Sequence, residues 1–137
     1  MSRFLFDTHA LIWWVDGVQL SPKIVDQLSI AMGEQQLFYS AVTFWEIGMM
    51  ERKNAYNFLP TFQVWSENAM RQSGASCLPL SPQVALLSSR LPSDFHKDPG
   101  DRLLVASAID ADATFVTRDA KILDWAARTG ALKVLAI

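Results

Sequence analysis

Several acidic side chains stand where they could share one task. Asp7 closes the apolar run Phe4-Leu5-Phe6, and Asp119 follows Phe115-Val116-Thr117 with only Arg118 between. Asp101 comes just after Asp98-Pro99-Gly100 and opens the apolar stretch Leu103-Leu104-Val105-Ala106-Ser107-Ala108. Glu46 interrupts an apolar surface beside Trp45 and Ile47. Carboxylates held within a few ångströms repel, and some take up protons unless a cation joins them. All-oxygen ligands suit magnesium or manganese, which keep waters that a substrate phosphate displaces. Such an ion activates water and stabilises a phosphoryl transition state, and a pair of ions can hold both attacking and leaving oxygens. The chemistry this set suggests is phosphodiester hydrolysis.

Each acid also has a plainer use. Asp7 and Asp119 can cap the helices that follow them, as can Asp98 or Asp101, because N–H groups at a helix start carry partial positive charge. One helix needs only one cap, so the Asp98–Asp101 pair leaves a surplus acid. Glu46 needs a partner if it is buried and ionised, and Arg102 or Arg118 could neutralise it. One cysteine, Cys77, and two histidines argue against zinc. His9 reads as a hydrogen-bonded or rim residue, and His96 as a solvated loop residue.

Placing these groups is the work of short alternating elements. Arg3 to Phe6 reads as a buried strand, and Thr8 to Val15 as a helix ended by Asp16-Gly17. Ser21-Pro22 opens a helix that Gly33 closes, with serine as cap and proline in the first turn. Gln36 to Ser40 is a second strand and Ala41 to Arg52 a helix. Asn54 to Pro60 connects it to a helix over Thr61 to Gln72. Ser76 to Leu80 reads as a strand, and Ser81-Pro82 repeats the capping device. Leu91 to Gly100 reads as loop, and the helix after Asp101 runs to about Asp110. Ala113 to Thr117 and Lys133 to Ala136 read as strands around a helix over Ala120 to Arg128. Strands alternating with helices imply a parallel sheet of about five short strands, covered on both faces. Functional groups then gather outside the carboxyl ends of the strands.

The chain has 137 residues, half of them hydrophobic, and a formal charge of −2. That suits one domain over 1–137 with a real core, and it argues against gripping duplex DNA through a general basic surface. A single cysteine and no recognisable signal peptide lead to a cytoplasmic expectation. No stretch approaches the roughly 18 apolar residues a membrane span needs.

With these residues in view, the chain resembles PIN-domain toxins of the VapC type. Phe4-Leu5-Phe6-Asp7-Thr8-His9-Ala10-Leu11-Ile12-Trp13-Trp14 is similar to their opening. Ser40-Ala41-Val42-Thr43-Phe44-Trp45-Glu46-Ile47 resembles the second motif. His96-Lys97-Asp98-Pro99-Gly100-Asp101-Arg102-Leu103-Leu104 resembles the third, and Val116-Thr117-Arg118-Asp119 the fourth. The motifs agree in order and spacing over essentially the whole chain.

The resemblance implies a three-layer PIN-like α/β fold and a magnesium- or manganese-dependent endoribonuclease. It implies the toxin of a bacterial toxin–antitoxin pair, a homodimer that meets DNA only through its antitoxin. Asp7, Glu46, Asp101 and Asp119 are then the metal-binding and catalytic acids. Asp98 assists or makes the turn, and Thr117 matches the family's hydroxyl near the metal. Arg102 and Arg118 orient carboxylates, meet phosphate, or form structural salt bridges. Trp13, Trp14, Trp45, Phe58, Phe62 and Trp65 could stack on bases, but at helical spacing they fit core or interface better, and for several of them an interface is expected. Two departures bear on substrate contacts: no lysine follows Glu46 closely, Arg52 and Lys53 coming later, and Gly100 stands where many relatives carry a bulky residue.

The rival from another class is a non-catalytic PIN-like module that holds a metal and acts through a protein partner. An aspartyl-phosphate enzyme is not supported, because His9 stands two residues after Asp7 where a second aspartate would be needed.

Overall fold

A computed structural model describes residues 2–137. Five strands form one sheet: β1 (Phe4–Phe6), β2 (Leu37–Ser40), β3 (Ser76–Leu78), β4 (Thr114–Thr117) and β5 (Val134–Ala136). Seven helices join and cover them: α1 (Thr8–Asp16), α2 (Pro22–Gly33), α3 (Ala41–Arg52), α4 (Phe62–Gln72), α5 (Pro82–Arg90), α6 (Pro99–Asp110) and α7 (Ala120–Thr129). The sheet order is β3-β2-β1-β4-β5, and every pairing is parallel. The expected parallel sheet with helices on both faces is what forms. No helix among the described residues is long and apolar enough to cross a membrane.

The central strand explains the layers. Successive side chains of a strand point to opposite faces. Phe4 and Phe6 join one core with Ala10, Leu11 and Ile12 of α1, Leu28 of α2 and Ala69 of α4. Leu5 joins a second core with Leu104 and Val105 of α6 and Ile122 and Trp125 of α7. All three residues of β1 are buried, which a parallel strand covered on both sides requires.

Capping follows the sequence signals. Ser21 and Ser81 accept from the N–H groups of Ile24 and Val84, and a proline follows each. Asp98-Pro99 is the same device with an acidic cap: Asp98 accepts from the Asp101 N–H. The helix therefore starts at Pro99, two residues before the expected Asp101. Gly17 and Gly130 close α1 and α7 in the left-handed region, where a side chain would be strained.

The aromatic residues divide differently from the expectation. Phe58 and Trp65 are core: Trp65 is only 3% exposed, sits edge-on to Phe58, and its indole N–H donates to Asp16 Oδ1 at 2.8 Å. Neither is available to an interface. Trp45, at 61% exposed, is the tryptophan on the surface. Trp13, Trp14 and Phe62 are partly buried against the first core.

Candidate metal centre

The chain runs from β1 outward to β2 and β3, then returns to place β4 on the other side of β1. That reversal leaves a crevice outside the carboxyl ends of β1 and β4, the usual ligand position in such sheets. Asp7 leaves the end of β1, and Thr117 is the last residue of β4. Phe6 pairs with Val116, so the two strand ends lie side by side. A cavity of about 630 Å³ opens here, and Asp7, Glu46, Asp98, Asp101 and Asp119 all line it.

Hydrogen bonds fix each carboxylate. Asp7 Oδ1 accepts from the Thr8 N–H at 2.8 Å, and Oδ2 accepts from the Thr117 hydroxyl at 2.7 Å. Thr117 is fully buried, and its oxygen in turn accepts from the Asp119 N–H. Asp119 uses Oδ1 to cap α7, accepting from Lys121 and Ile122, which leaves its other oxygen free of that duty. Glu46 Oε1 accepts from the Thr8 hydroxyl at 2.6 Å. Its other oxygen lies against Gly100, where a Cβ would come within 2.8 Å of it. The small residue at 100 thus lets Glu46 close over the first turn of α6.

Asp7 and Asp119 are both helix caps and cluster members, so the two readings of these residues are not exclusive. Asp98 does the same: it caps α6 and also stands in one group with Glu46 and Asp101, their oxygens all within 4.8 Å. A second group joins His96, Asp101 and Asp119 within the same distance. Asp101 belongs to both.

The electrostatics follow from this crowding. Burial, then the charges of Asp7, Asp98, Glu46 and Asp119, push Asp101 up to about 8. Burial also raises Glu46; Asp7 and Asp98 add to this, while the Thr8 hydroxyl works against it. Burial raises Asp7 against the bonds from Thr117 and Thr8. Among the described residues no lysine or arginine forms a salt bridge to any of these five acids. Carboxylates packed together with no lysine or arginine bridged to them are the donor set a hard divalent cation fits.

Among the described residues, neither Arg102 nor Arg118 forms a salt bridge to the site carboxylates. Arg102 turns away from the acids and donates to the carbonyls of Ser88, Leu91 and Phe95, pinning the loop before α6. Arg118 donates to the carbonyls of Ile137 and Gln19 and stacks over Trp13, with its guanidinium carbon 4.3 Å from the ring centre. Neither neutralises Glu46; Thr8 holds it instead. Arg118 still borders the cavity, as do Lys53 and Trp45.

His96 is a correction as well. Its side chain is only 18% exposed, and Nε2 lies 3.2 Å from Asp101 Oδ2. The sequence carried a signal for this: Phe95, next to it, is an apolar residue in a polar loop and is buried, which draws His96 inward. Thr8 belongs to the site as well: its place directly after Asp7 brings its hydroxyl to Glu46, a role that the sequence signals only through that adjacency.

The family model of the PIN domain matches residues 4–127. The chain is 25% identical over 127 residues to Ribonuclease VapC22 of Mycobacterium tuberculosis (strain ATCC 25618 / H37Rv), covering 89% of this chain and 91% of the relative. Its fold is similar to that in the crystal structure of VapBC2 from Rickettsia felis bound to a DNA fragment from their promoter, with a TM-score of 0.72 at 14% identity, covering 98% of each chain. It is also similar to a toxin–antitoxin complex from Klebsiella pneumoniae, with a TM-score of 0.62 at 22% identity, covering 96% of this chain and 95% of that one. At such identities the solved structures bear on the fold alone. Matched from the first strand into the last helix, this chain belongs to the PIN-domain family.

Proposed function

We propose that this protein is a magnesium- or manganese-dependent endoribonuclease and the toxin of a toxin–antitoxin pair. The observation that carries it is the convergence of Asp7, Glu46, Asp101 and Asp119 on one cavity at the carboxyl ends of β1 and β4. The curated relative named a ribonuclease supports the reaction, and the neighbours titled as toxin–antitoxin complexes support the partner. The cation, when bound, supplies an activated water and charge for the phosphoryl transition state.

The chain's own residues do the positioning. Thr8 and Thr117 aim Glu46 and Asp7 without neutralising them. Asp119 is held by the α7 N-terminus and Asp101 by the first turn of α6. Arg118 and Lys53 border the cavity and suit a polyanion's phosphates. Cognate antitoxin and a second copy of this chain are the expected protein partners, and an RNA substrate places the work in the cytoplasm.

The test is cleavage of RNA by purified protein with magnesium or manganese, with chelator, and with Asp101→Asn. Cleavage should need the ion and fall at least about a hundredfold in the variant, since even partners one step from a metal are worth 10- to 100-fold. Wild-type cleavage by Asp101→Asn would sink the assignment, and binding of the ion with no cleavage would favour the non-catalytic module.

A further inference from the structure

We propose that His96 supplies an imidazole ligand to a divalent cation shared with Asp101 and Asp119, giving the site a nitrogen donor and a bias toward manganese over magnesium. This rests on the metal-dependent function proposed above and adds a ligand to it.

Three observations carry it. The first is spacing. Nε2 of His96 stands 3.2 Å from Asp101 Oδ2, and ligand atoms of His96, Asp101 and Asp119 all lie within 4.8 Å of one another. Ligands about 2.1 Å from an octahedral ion sit roughly 3.0 Å apart along an edge and roughly 4.2 Å apart across it. The three atoms need only a small contraction to become such a set.

The second is the state of that nitrogen. Nε2 is closed off from solvent and makes no hydrogen bond, despite the carboxylate beside it. Buried polar atoms are almost always satisfied, and an exception calls for an explanation such as an ion. A simple ion pair would be expected to align an N–H with Oδ2. A buried ring nitrogen 3.2 Å from a carboxylate oxygen and not hydrogen-bonded to it is an arrangement that a cation held by both would resolve.

The third is preorganisation. The imidazole stacks on Phe95 at 4.7 Å between ring centres, and Phe95 packs edge-on against buried Trp125. Arg102 lies over the same Phe95 ring and ties down the loop through the carbonyls of Ser88, Leu91 and Phe95. His96 therefore has little freedom to point elsewhere. Beside it a second opening of about 420 Å³, bordered by Asp98, Asp101, Asp119 and Lys121, leaves room for waters on the ion. Imidazole suits transition ions, whereas magnesium prefers oxygen alone.

The experiment is pulsed electron paramagnetic resonance of manganese bound to the full chain. Only two histidines are present, so His9→Gln and His96→Gln resolve the source of any nitrogen signal. Nitrogen coupling to the manganese spin should appear in the wild type and in His9→Gln, and vanish in His96→Gln with manganese still bound. The ratio of manganese to magnesium affinity should fall about tenfold in His96→Gln, the scale on which site partners affect metal affinity. ¹⁵N-histidine labelling of the wild type should change the coupling pattern, which reads the ligand even if the variant folds poorly. Bound manganese without nitrogen coupling, or coupling that survives His96→Gln, overturns this inference and leaves the acid cluster intact. Failure of the wild type to bind manganese at all overturns both this inference and the metal-dependent function.

Discussion

The Thr117 hydroxyl donates to Asp7 Oδ2 at 2.7 Å, although 110 positions separate the two residues in the chain. The bond exists because β4 lies beside β1, and it joins the ends of both strands at the candidate site. A buried carboxylate that accepts a hydrogen bond from a hydroxyl stays charged at lower cost. Thr117→Val should remove that donor, along with the acceptor for the Asp119 N–H. The expected effect is about 1–3 kcal/mol of lost stability, the usual range for a broken buried bond to a charged group, and metal affinity lower by about tenfold. Thr117→Ser should recover most of both. Calorimetric titration with manganese checks this, and a valine variant that binds like the wild type contradicts it.

Gly100 makes room for Glu46. A Cβ there would lie 2.8 Å from Glu46 Oε2 and 3.2 Å from Asp98 Oδ1. The crowded atoms are the ends of side chains, which can swing away, so folding should tolerate Gly100→Ala. Alanine in a helix is favoured over glycine by up to about 1 kcal/mol. The variant should thus keep or slightly gain thermal stability while binding manganese about tenfold more weakly. Unchanged affinity would mean that the closeness of Glu46 to Gly100 has no part in the site.

The acid cluster makes stability depend on pH in a direction that can be worked out. Asp101 rises from 3.8 to about 8 on folding, and Asp7 and Glu46 move the same way. The folded, metal-free chain then binds more protons than the unfolded chain between those values. Its stability must fall as pH rises through that window. A bound cation replaces the protons. Melting of metal-free protein should come several degrees lower at pH 8 than at pH 6, and manganese should raise the melting temperature more at pH 8. Asp101→Asn should flatten the metal-free trend. A metal-free melting temperature that climbs from pH 6 to pH 8 would contradict it.

The two best-contrasted tryptophans should separate by their burial. Trp65 is 3% exposed and bonded to Asp16, whereas Trp45 is 61% exposed. Trp65→Ala should cost about 3–5 kcal/mol. Trp45→Ala should change stability by no more than about 0.5 kcal/mol. Denaturant unfolding measures both, and equal losses would refute the assignment of Trp65 to the core and Trp45 to the surface.

Much of this arrangement is legible before any coordinates. Phe4-Leu5-Phe6 and Phe115-Val116-Thr117 are apolar enough to mark buried parallel strands, and an acid after each points to the strand ends. Ser21-Pro22 and Ser81-Pro82 mark helix starts in the sequence, and Asp98-Pro99 follows the same rule when aspartate is allowed as the cap. What sequence hides is the partner of a long side chain. Arg102 looks like a counterion to its neighbouring acids, but the carbonyls of Ser88 at the end of α5 and of Leu91 and Phe95 in the loop converge on it, and their positions are a product of packing. His96 sits in a polar loop and reads as solvated, and only the burial of Phe95 turns it inward. The tryptophans fail for a related reason. Apolar residues cover most of α3, so no polar face marks Trp45 as outward.

The sheet order also has a consequence in time. A ribosome delivers β1 and Asp7 first, and Glu46 soon after. β4, the neighbour that brings Thr117 and Asp119 to them, is made only after β2 and β3 have emerged. A nascent chain that stops short of β4 carries Asp7, Glu46 and Asp101 but lacks Asp119 and the strand whose Thr117 holds Asp7. If the assembled cluster cuts RNA, the machine translating this chain is spared by the order in which the strands are born.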